Sequence, residues 1–303
     1  MNTTIEFAEM KAFVAVVSDS SFTTAAERLG TDKARVSRIV RKMEEKLGVR
    51  LLNRSTRRLS VTEVGRDYFE RAVVILNAAE AAEAAVAQQS GELKGQLRIT
   101  AGTEFGTMVV DEWVAAFLKF APKVTMETEY TNRLVDIIHE GIDVAIRVGN
   151  LPDSGLSARK LGEISYGLYA APNYLKNSPI LTKVTDLGGH QLIAKTNSGR
   201  SSWTLLNGIH SENIEISVRA GVSSILTAKN LALSGIGIAQ LPRFLAEPYV
   251  KDELLSLVLP GWAHAPVPVN AVFASSRYMD PKVRSFVDLC ISSFRDSMVV
   301  SVT

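Results

Sequence analysis

Residues 32–47 place two opposed demands on one helix. Val36, Ile39, Val40, Met43 and Leu47 recur at three- and four-residue steps, which gathers them on one helical face. The other face then holds Lys33, Arg35, Ser37, Arg38 and Lys42. Asp32 stands where an N-cap carboxylate accepts the first free amides. Such a helix must be packed along one side, and its free side must meet water or an anion.

The residues upstream supply the packing. Phe7, Met10, Phe13, Val14 and Val17 share the helical period across residues 5–17, and Ser18-Asp19-Ser20-Ser21 ends that stretch. Residues 22–29 then predict a second, short helix in which Ala25, Ala26 and Leu29 are small or apolar enough for close crossing, and Gly30 stops it. Two helices joined by a tight turn, the second one cationic outside, are the parts that lay a helix in a major groove with its first residues at the base edges. Residues 49–61 form two β-like pieces around a basic tip, a wing whose Arg54, Ser55, Arg57 and Arg58 are placed for phosphates or the adjacent minor groove. Thr23, Lys33, Ala34, Arg35, Ser37, Arg38 and Lys42 complete the candidate DNA contacts.

Charge separates this part from the rest. Residues 1–62 carry twelve Lys/Arg against seven acids, whereas the remainder carries 22 against 25, within a total of only +2. The asymmetry points to a polyanionic partner, double-stranded DNA, for the first part alone.

Several ordered segments resemble one known family: Phe13-Val14-Ala15-Val16-Val17, Ser21-Phe22-Thr23-Thr24-Ala25-Ala26-Glu27-Arg28-Leu29-Gly30, Val36-Ser37-Arg38-Ile39-Val40-Arg41-Lys42-Met43-Glu44, Leu47-Gly48-Val49-Arg50-Leu51-Leu52-Asn53-Arg54 and Leu59-Ser60-Val61-Thr62-Glu63-Val64-Gly65. On these residues the chain is similar to the LysR-type transcriptional regulators. The resemblance implies a promoter-binding regulator with a small-molecule effector domain, assembled as a homodimer or a homotetramer made of two dimers, with RNA polymerase a candidate further partner. The chain departs from the family at the start of the recognition helix. Asp32-Lys33-Ala34-Arg35 replaces the usual serine-glutamine pattern. Lys33 or Arg35 then has either a guanine or a phosphate to hold.

Thr62 predicts an N-cap for a long helix, with Glu63 in its first turn. Tyr68, Ala72, Ile75, Ala79, Ala82 and Val86 recur along it as a heptad seam suited to a second copy, or to packing on the chain itself. Roughly 27 helical residues would reach about 40 Å. Residues 90–95 break the helix.

From residue 96 strand-like and helix-like stretches alternate, with a helix expected over residues 133–140; this predicts doubly wound α/β structure. The family likeness continues in Gly141-Ile142-Asp143-Val144-Ala145-Ile146-Arg147-Val148-Gly149 and Gly235-Ile236-Gly237-Ile238-Ala239-Gln240-Leu241-Pro242, and implies two lobes like those of periplasmic solute-binding proteins. The expected organisation is therefore an α/β multi-domain chain: a winged helix-turn-helix over 1–61, a linker and dimerisation helix over 62–90, and an effector domain over 91–303. Lobe I of that domain is expected at about 96–165 and 268–303, and lobe II at about 166–267. Ligands in such lobes sit beyond strand ends and near helix N-termini. Thr103, Glu104, Phe105, Thr131, Arg147 and Asn150 from one lobe, with Thr196, Asn197, Ser198 and Ser223 from the other, are the candidate effector contacts, Arg147 facing a carboxylate if the effector carries one.

The alternatives are an architectural DNA binder without a ligand and an α/β enzyme. The enzyme finds little support. His139, His190, His210 and His264 are scattered without metal-ligand spacing, Cys290 lies in an apolar helical stretch, and Gly235-Ile236-Gly237 follows a helix and enters a strand, the reverse of a dinucleotide turn. No metal or cofactor is expected. Hydrophobic residues at 46% and charged residues at 22% are ordinary globular usage, and 303 residues suffice for more than one domain. The opening residues lack the basic and apolar regions of an export signal, and no apolar run reaches the length of a membrane span, so a cytoplasmic protein is expected.

Overall fold

The computed structural model describes residues 4–54, 59–88, 93–152, 155–195, 200–274 and 279–298. Its first part packs α1 (Phe7–Ser18), α2 (Phe22–Arg28) and α3 (Lys33–Leu47) around Phe13, Val16, Ala25, Val36, Val40 and Met43, all shielded from solvent. The ends of these helices are chemically fixed. Ser21 accepts from the Thr24 amide and Asp32 from the Arg35 amide at 2.8 Å, while Gly48 closes α3 at φ +69°, a conformation that favours glycine.

Two short antiparallel strands follow, β1 (Leu52–Arg54) and β2 (Leu59–Val61). The base of this wing is held from α3, because Glu44 Oε1 accepts the Leu51 and Leu52 amides at 2.8 and 3.0 Å. Thr62 caps α4 (Glu63–Gln88) by accepting the Gly65 amide at 2.9 Å. A Cβ on Gly65 would lie 2.1 Å from the Leu51 carbonyl oxygen, so only glycine lets the long helix start so close to the wing.

α4 buries Phe69, Ala72, Val73 and Leu76 along one face. Phe69 meets Phe13 of α1 edge-on at 6.5 Å, and on its other side stacks on His139 of the following domain at 4.6 Å. The linker helix therefore touches both halves of the chain.

Two sheets make up the remainder. The first has the order β4 (Lys123–Tyr130), β3 (Lys94–Ala101), β5 (Val144–Val148), β13 (Val267–Phe273) and β6 (Ser157–Ile164). β3 runs parallel to β4 and β5, and the returning β13 is antiparallel to β5 and β6. One face is covered by α6 (Asp111–Phe120) and α10 (Pro281–Met298) through Trp113, Phe117, Phe286 and Cys290. Cys290 is fully enclosed, and burial pushes its thiol up, away from the reactive thiolate. A short α5 (Thr103–Phe105) and a π-turn over Gly106–Val110 lead into α6.

The second sheet has the order β12 (Ser256–Val258), β7 (Tyr166–Ala170), β11 (Ile238–Pro242), β8 (Leu192–Lys195), β10 (His210–Val222) and β9 (Arg200–Asn207). Here β8 is parallel to β10 and β11, and α7 (Pro172–Lys176), α8 (Ile225–Leu233) and α9 (Arg243–Lys251) flank the sheet. The chain crosses between the sheets twice, at residues 164–166 and 258–267. Gly235 has φ +73° just past α8, with Gly235 and Ile236 amides returning to Ala232 and Leu231; it is a helix cap, not a phosphate turn.

The helix expected over residues 133–140 is absent. Val135 and Ile137 alternate into a cluster with Ile142, Ala145 and Val272, and turns then reverse the chain at Gly141, φ +63°. Arg133 is drawn onto Glu140 and Glu129 at once. Two buried residues at a spacing of two suit extended chain and not a helical face.

Candidate nucleic-acid interface and effector cleft

The N-terminal turn of α3 is open. Lys33, Ala34, Arg35, Arg38, Arg41 and Lys42 are exposed, Ser37 is half-buried, and Thr23 is exposed at the start of α2. Among the described residues none of these five cations enters a salt bridge. Arg38 Nε turns back to the Ala34 carbonyl at 3.4 Å. An unpaired cationic helix face is costly in self-repulsion and ready for a polyanion. Ser55, Arg57 and Arg58, assigned to the wing tip, lie outside the described residues; Arg54 is placed only as backbone opposite Leu59.

The inner side of α3 is locked instead. Lys46 Nζ bonds both Glu9 carboxylate oxygens at 2.8 Å, and the Glu6 amide adds 3.0 Å. Burial works to raise the Glu9 carboxyl, but Lys46 and the Glu6 amide outweigh it and hold it below its ordinary value. This pair pins α1 against α3 and so sets the angle at which α3 is presented.

At the carboxyl ends of β3 and β4 a polar turn forms. The Thr103 amide donates to Asn132 Oδ1 at 3.1 Å, and the Thr131 hydroxyl accepts the Arg133 amide at 3.3 Å. Thr103 is exposed, Thr131 half-buried, and Ser223, on the second lobe just before Ser224, exposed. Glu104 reaches over to α8, where its Oε1 accepts the Ile225 amide at 2.8 Å and the Ser224 hydroxyl. Phe105 points into the first lobe's core, 5.9 Å from Trp113, so its ring is structural.

Arg147 and Asn150 belong elsewhere. They line a cavity of about 1530 Å³ between the first lobe and α4, with Asp67, Arg71, Ile75 and Leu156 on its walls. Arg147 Nη2 is buried there with no hydrogen-bond partner among the described residues, and desolvation pulls the guanidinium down. The candidate effector residues thus divide between two places, while Thr196, Asn197 and Ser198 lie outside the described residues. Sequence reasoning passed over Phe69 and read His139 only as a histidine without metal-ligand spacing. Of the Ser223-Ser224 pair that opens α8 it took Ser223 as the ligand contact, whereas Ser224 is the one that caps the helix and meets Glu104.

Two family models cover nearly all of this architecture. The bacterial regulatory helix-turn-helix model of the lysR family matches residues 7–66, and the LysR substrate binding domain model matches residues 90–295. The chain belongs to the LysR family of transcriptional regulators. The regulator is 33% identical over 292 residues to CrgA of Neisseria meningitidis, covering 96% of this chain and 97% of that one. It is 34% identical over 278 residues to PtxR of Pseudomonas aeruginosa, covering 91% and 89%. Among solved structures, CrgA matches with a TM-score of 0.58 at 33% identity over 94% of this chain and 97% of that one. The Vibrio cholerae virulence activator AphB matches with 0.58 at 26% identity, over 95% and 99%. The regulator is a DNA-binding transcription factor with an effector-binding domain, not an enzyme, and its family oligomerises. Among the described residues no helix is long and apolar enough to cross a membrane.

Proposed function

We propose that the regulator reads its promoter with the first turn of α3, Lys33 or Arg35 donating to guanine, while Thr23, Ser37, Arg38 and Lys42 hold phosphates and the wing residues 54, 55, 57 and 58 add affinity. The observation that carries this is the exposed cationic face of α3, with none of its charges spent on an ion pair among the described residues. Two copies join along α4 through Ile75, Ala79 and Ala82, with Val86 continuing the seam, and two such dimers make a tetramer; Tyr68 and Ala72 share the period but pack against their own chain. Exposed Val74 and Ile75, each 43% accessible, support a partner on that helix. Ala72 is already covered by its own chain, which narrows the seam to the outer residues.

The effector enters between the lobes, beside Thr103, Glu104, Thr131 and Ser223, and Thr196, Asn197 and Ser198, which lie outside the described residues, are further contacts proposed from the sequence alone. A carboxylate on it, or on a second ligand, is held by Arg147 in the cavity beside α4. Effector binding changes the lobe angle only so far as it prefers one angle, and the paired DNA-binding units then alter the bend of the site. The protein works in the cytoplasm, and its family likeness supports RNA polymerase as a further partner at the promoter. The test is selection of random duplexes by the purified full chain at moderate ionic strength. A recovered dyad motif is expected; indifference to duplex DNA overturns the reading.

A further inference from the structure

The N-terminus of α8 holds a carboxylate that comes from the opposite lobe. Glu104 Oε1 accepts both the Ile225 amide, the first of the helix, and the Ser224 hydroxyl. Ser224 Oγ in turn accepts from the Thr227 amide, so one hydroxyl both caps the helix and hands it to Glu104. The other lobe fixes this carboxylate in place. Thr103, next to Glu104, is tied to Asn132, and Gly106 brings the turn so close to Tyr130 that a Cβ would stand 2.5 Å from its ring. The Tyr130 hydroxyl is itself anchored on Asp111 at 2.8 Å. Glu104 is also near the crossover, since burial and then the Glu104 charge push the Tyr166 hydroxyl up.

Helix amides and a cap hydroxyl make an anion seat, and in this chain the seat is filled from within. A second anion would stand within a few ångströms of Glu104 in a half-buried cleft, where like charges disfavour each other. Among the described residues no Lys or Arg forms an ion pair with Glu104 that would neutralise it. Among the described residues the two donors to Glu104 both fall on Oε1, and none reaches Oε2, which is the atom offered to a ligand donor.

We infer that Glu104 is a resident stand-in for an anionic ligand and sets the effector class of the cleft: the group facing α8 is an uncharged or cationic donor, such as an amide, ammonium or guanidinium, and carboxylates and phosphates are rejected there. This rests on the cleft being the effector site. An ammonium reaching Oε2 keeps the lobes bridged, whereas a carboxylate must first break the bridge.

Chemical rescue tests it. Full-length wild type, Glu104→Ala and Glu104→Gln are melted in sodium acetate and in sodium chloride of equal ionic strength. Glu104→Ala is expected to melt several degrees below wild type and to recover at least half of that loss in tens of millimolar acetate but not chloride. Wild type and Glu104→Gln, whose carbonyl still accepts both donors, should melt alike in the two salts. The inference is overturned if Glu104→Ala melts with wild type, if acetate gives it no more than chloride does, or if acetate stabilises wild type equally. Should Glu104→Ala not fold, Glu104→Lys decides against Glu104→Gln: a cation facing the α8 amides must melt lower, and equal melting overturns the inference. Duplex retardation by the same wild-type protein reports separately on the regulator reading, so the two can fail independently.

Discussion

The DNA-binding unit and the effector lobes use charge in opposite ways. On α3, Lys33, Arg35, Arg38, Arg41 and Lys42 stand exposed and outside any salt bridge among the described residues. In the lobes, Arg133 spans Glu129 and Glu140, Arg98 holds Glu127, Arg159 holds Asp288, and Glu104 fills the end of α8. A surface that waits for phosphates gains from leaving its cations unpaired, because released counterions drive binding. A cleft that must distinguish small molecules gains from satisfying its own groups first, so that only a ligand with the right complement displaces or joins them.

The sharpest way to break this contrast is at the residue that joins the two halves. Phe69 is completely buried between Phe13 and the stacked ring of His139. Phe69→Ala should cost about 3–5 kcal/mol by lost burial and the cavity left behind. Denaturant unfolding of the full chain checks this, with Phe120→Ala, exposed at 66%, staying within about 0.5 kcal/mol of wild type. If the loss falls wholly on one transition, the two halves are energetically separate and the stacking carries no coupling.

A somewhat smaller effect is expected from the Lys46–Glu9 ion pair of the DNA-binding unit, whose carboxylate is buried. Lys46→Ala leaves the Glu9 carboxylate enclosed and should cost about 3 kcal/mol. The pH dependence sharpens the point. In wild type the Glu9 carboxyl sits below its unfolded value, so its contribution is complete above about pH 4.5 and is lost as pH falls through the folded value. In Lys46→Ala burial, the largest single influence, is opposed only by the Glu6 amide and Lys42, so the carboxyl is expected to rise and acidification to relieve the defect. Melting between pH 6 and 4 is expected to show slopes of opposite sign for the two proteins; parallel slopes would remove Glu9 from the account.

The same contrast explains what could be read from the sequence. The DNA-binding unit was legible because its elements are local: Val36, Val40 and Met43 at helical spacing are all fully buried, and Asp32 caps the helix it precedes. Along α4 the reading was partial. The seam through Tyr68, Ala72 and Ile75 has the right period, but an alanine-rich helix offers the period on two faces, and the face through Phe69, Val73 and Leu76 is the one its own chain covers. In the lobes the alternation of elements was visible, while the turns at 133–141 were not, since their packing depends on Val272 far along the chain; the β9–β10 hairpin is local, and its signal, Asn207-Gly208 between alternating apolar residues, was passed over. Arg147 sits at the end of a strand, as expected for a ligand group, yet alternation turns its side chain toward α4 and not toward Thr103. No spacing rule says which face of a strand end meets which lobe.

The smallest effects lie on α3 itself and separate reading from holding. Arg35→Ala should lower affinity for the selected site roughly 10- to 100-fold while flattening preference at one base position, if its guanidinium pairs with guanine O6 and N7. Arg41→Ala, further along the exposed face, should weaken selected and random duplexes alike by only a few-fold and reduce the slope of log affinity against log salt by about 1. Titration of both variants against both duplexes at several salt concentrations distinguishes the two roles. Equal losses on selected and random DNA for Arg35 would make it a second phosphate clamp. Lys33, one turn-edge earlier and equally exposed, would then be the residue left to read the base.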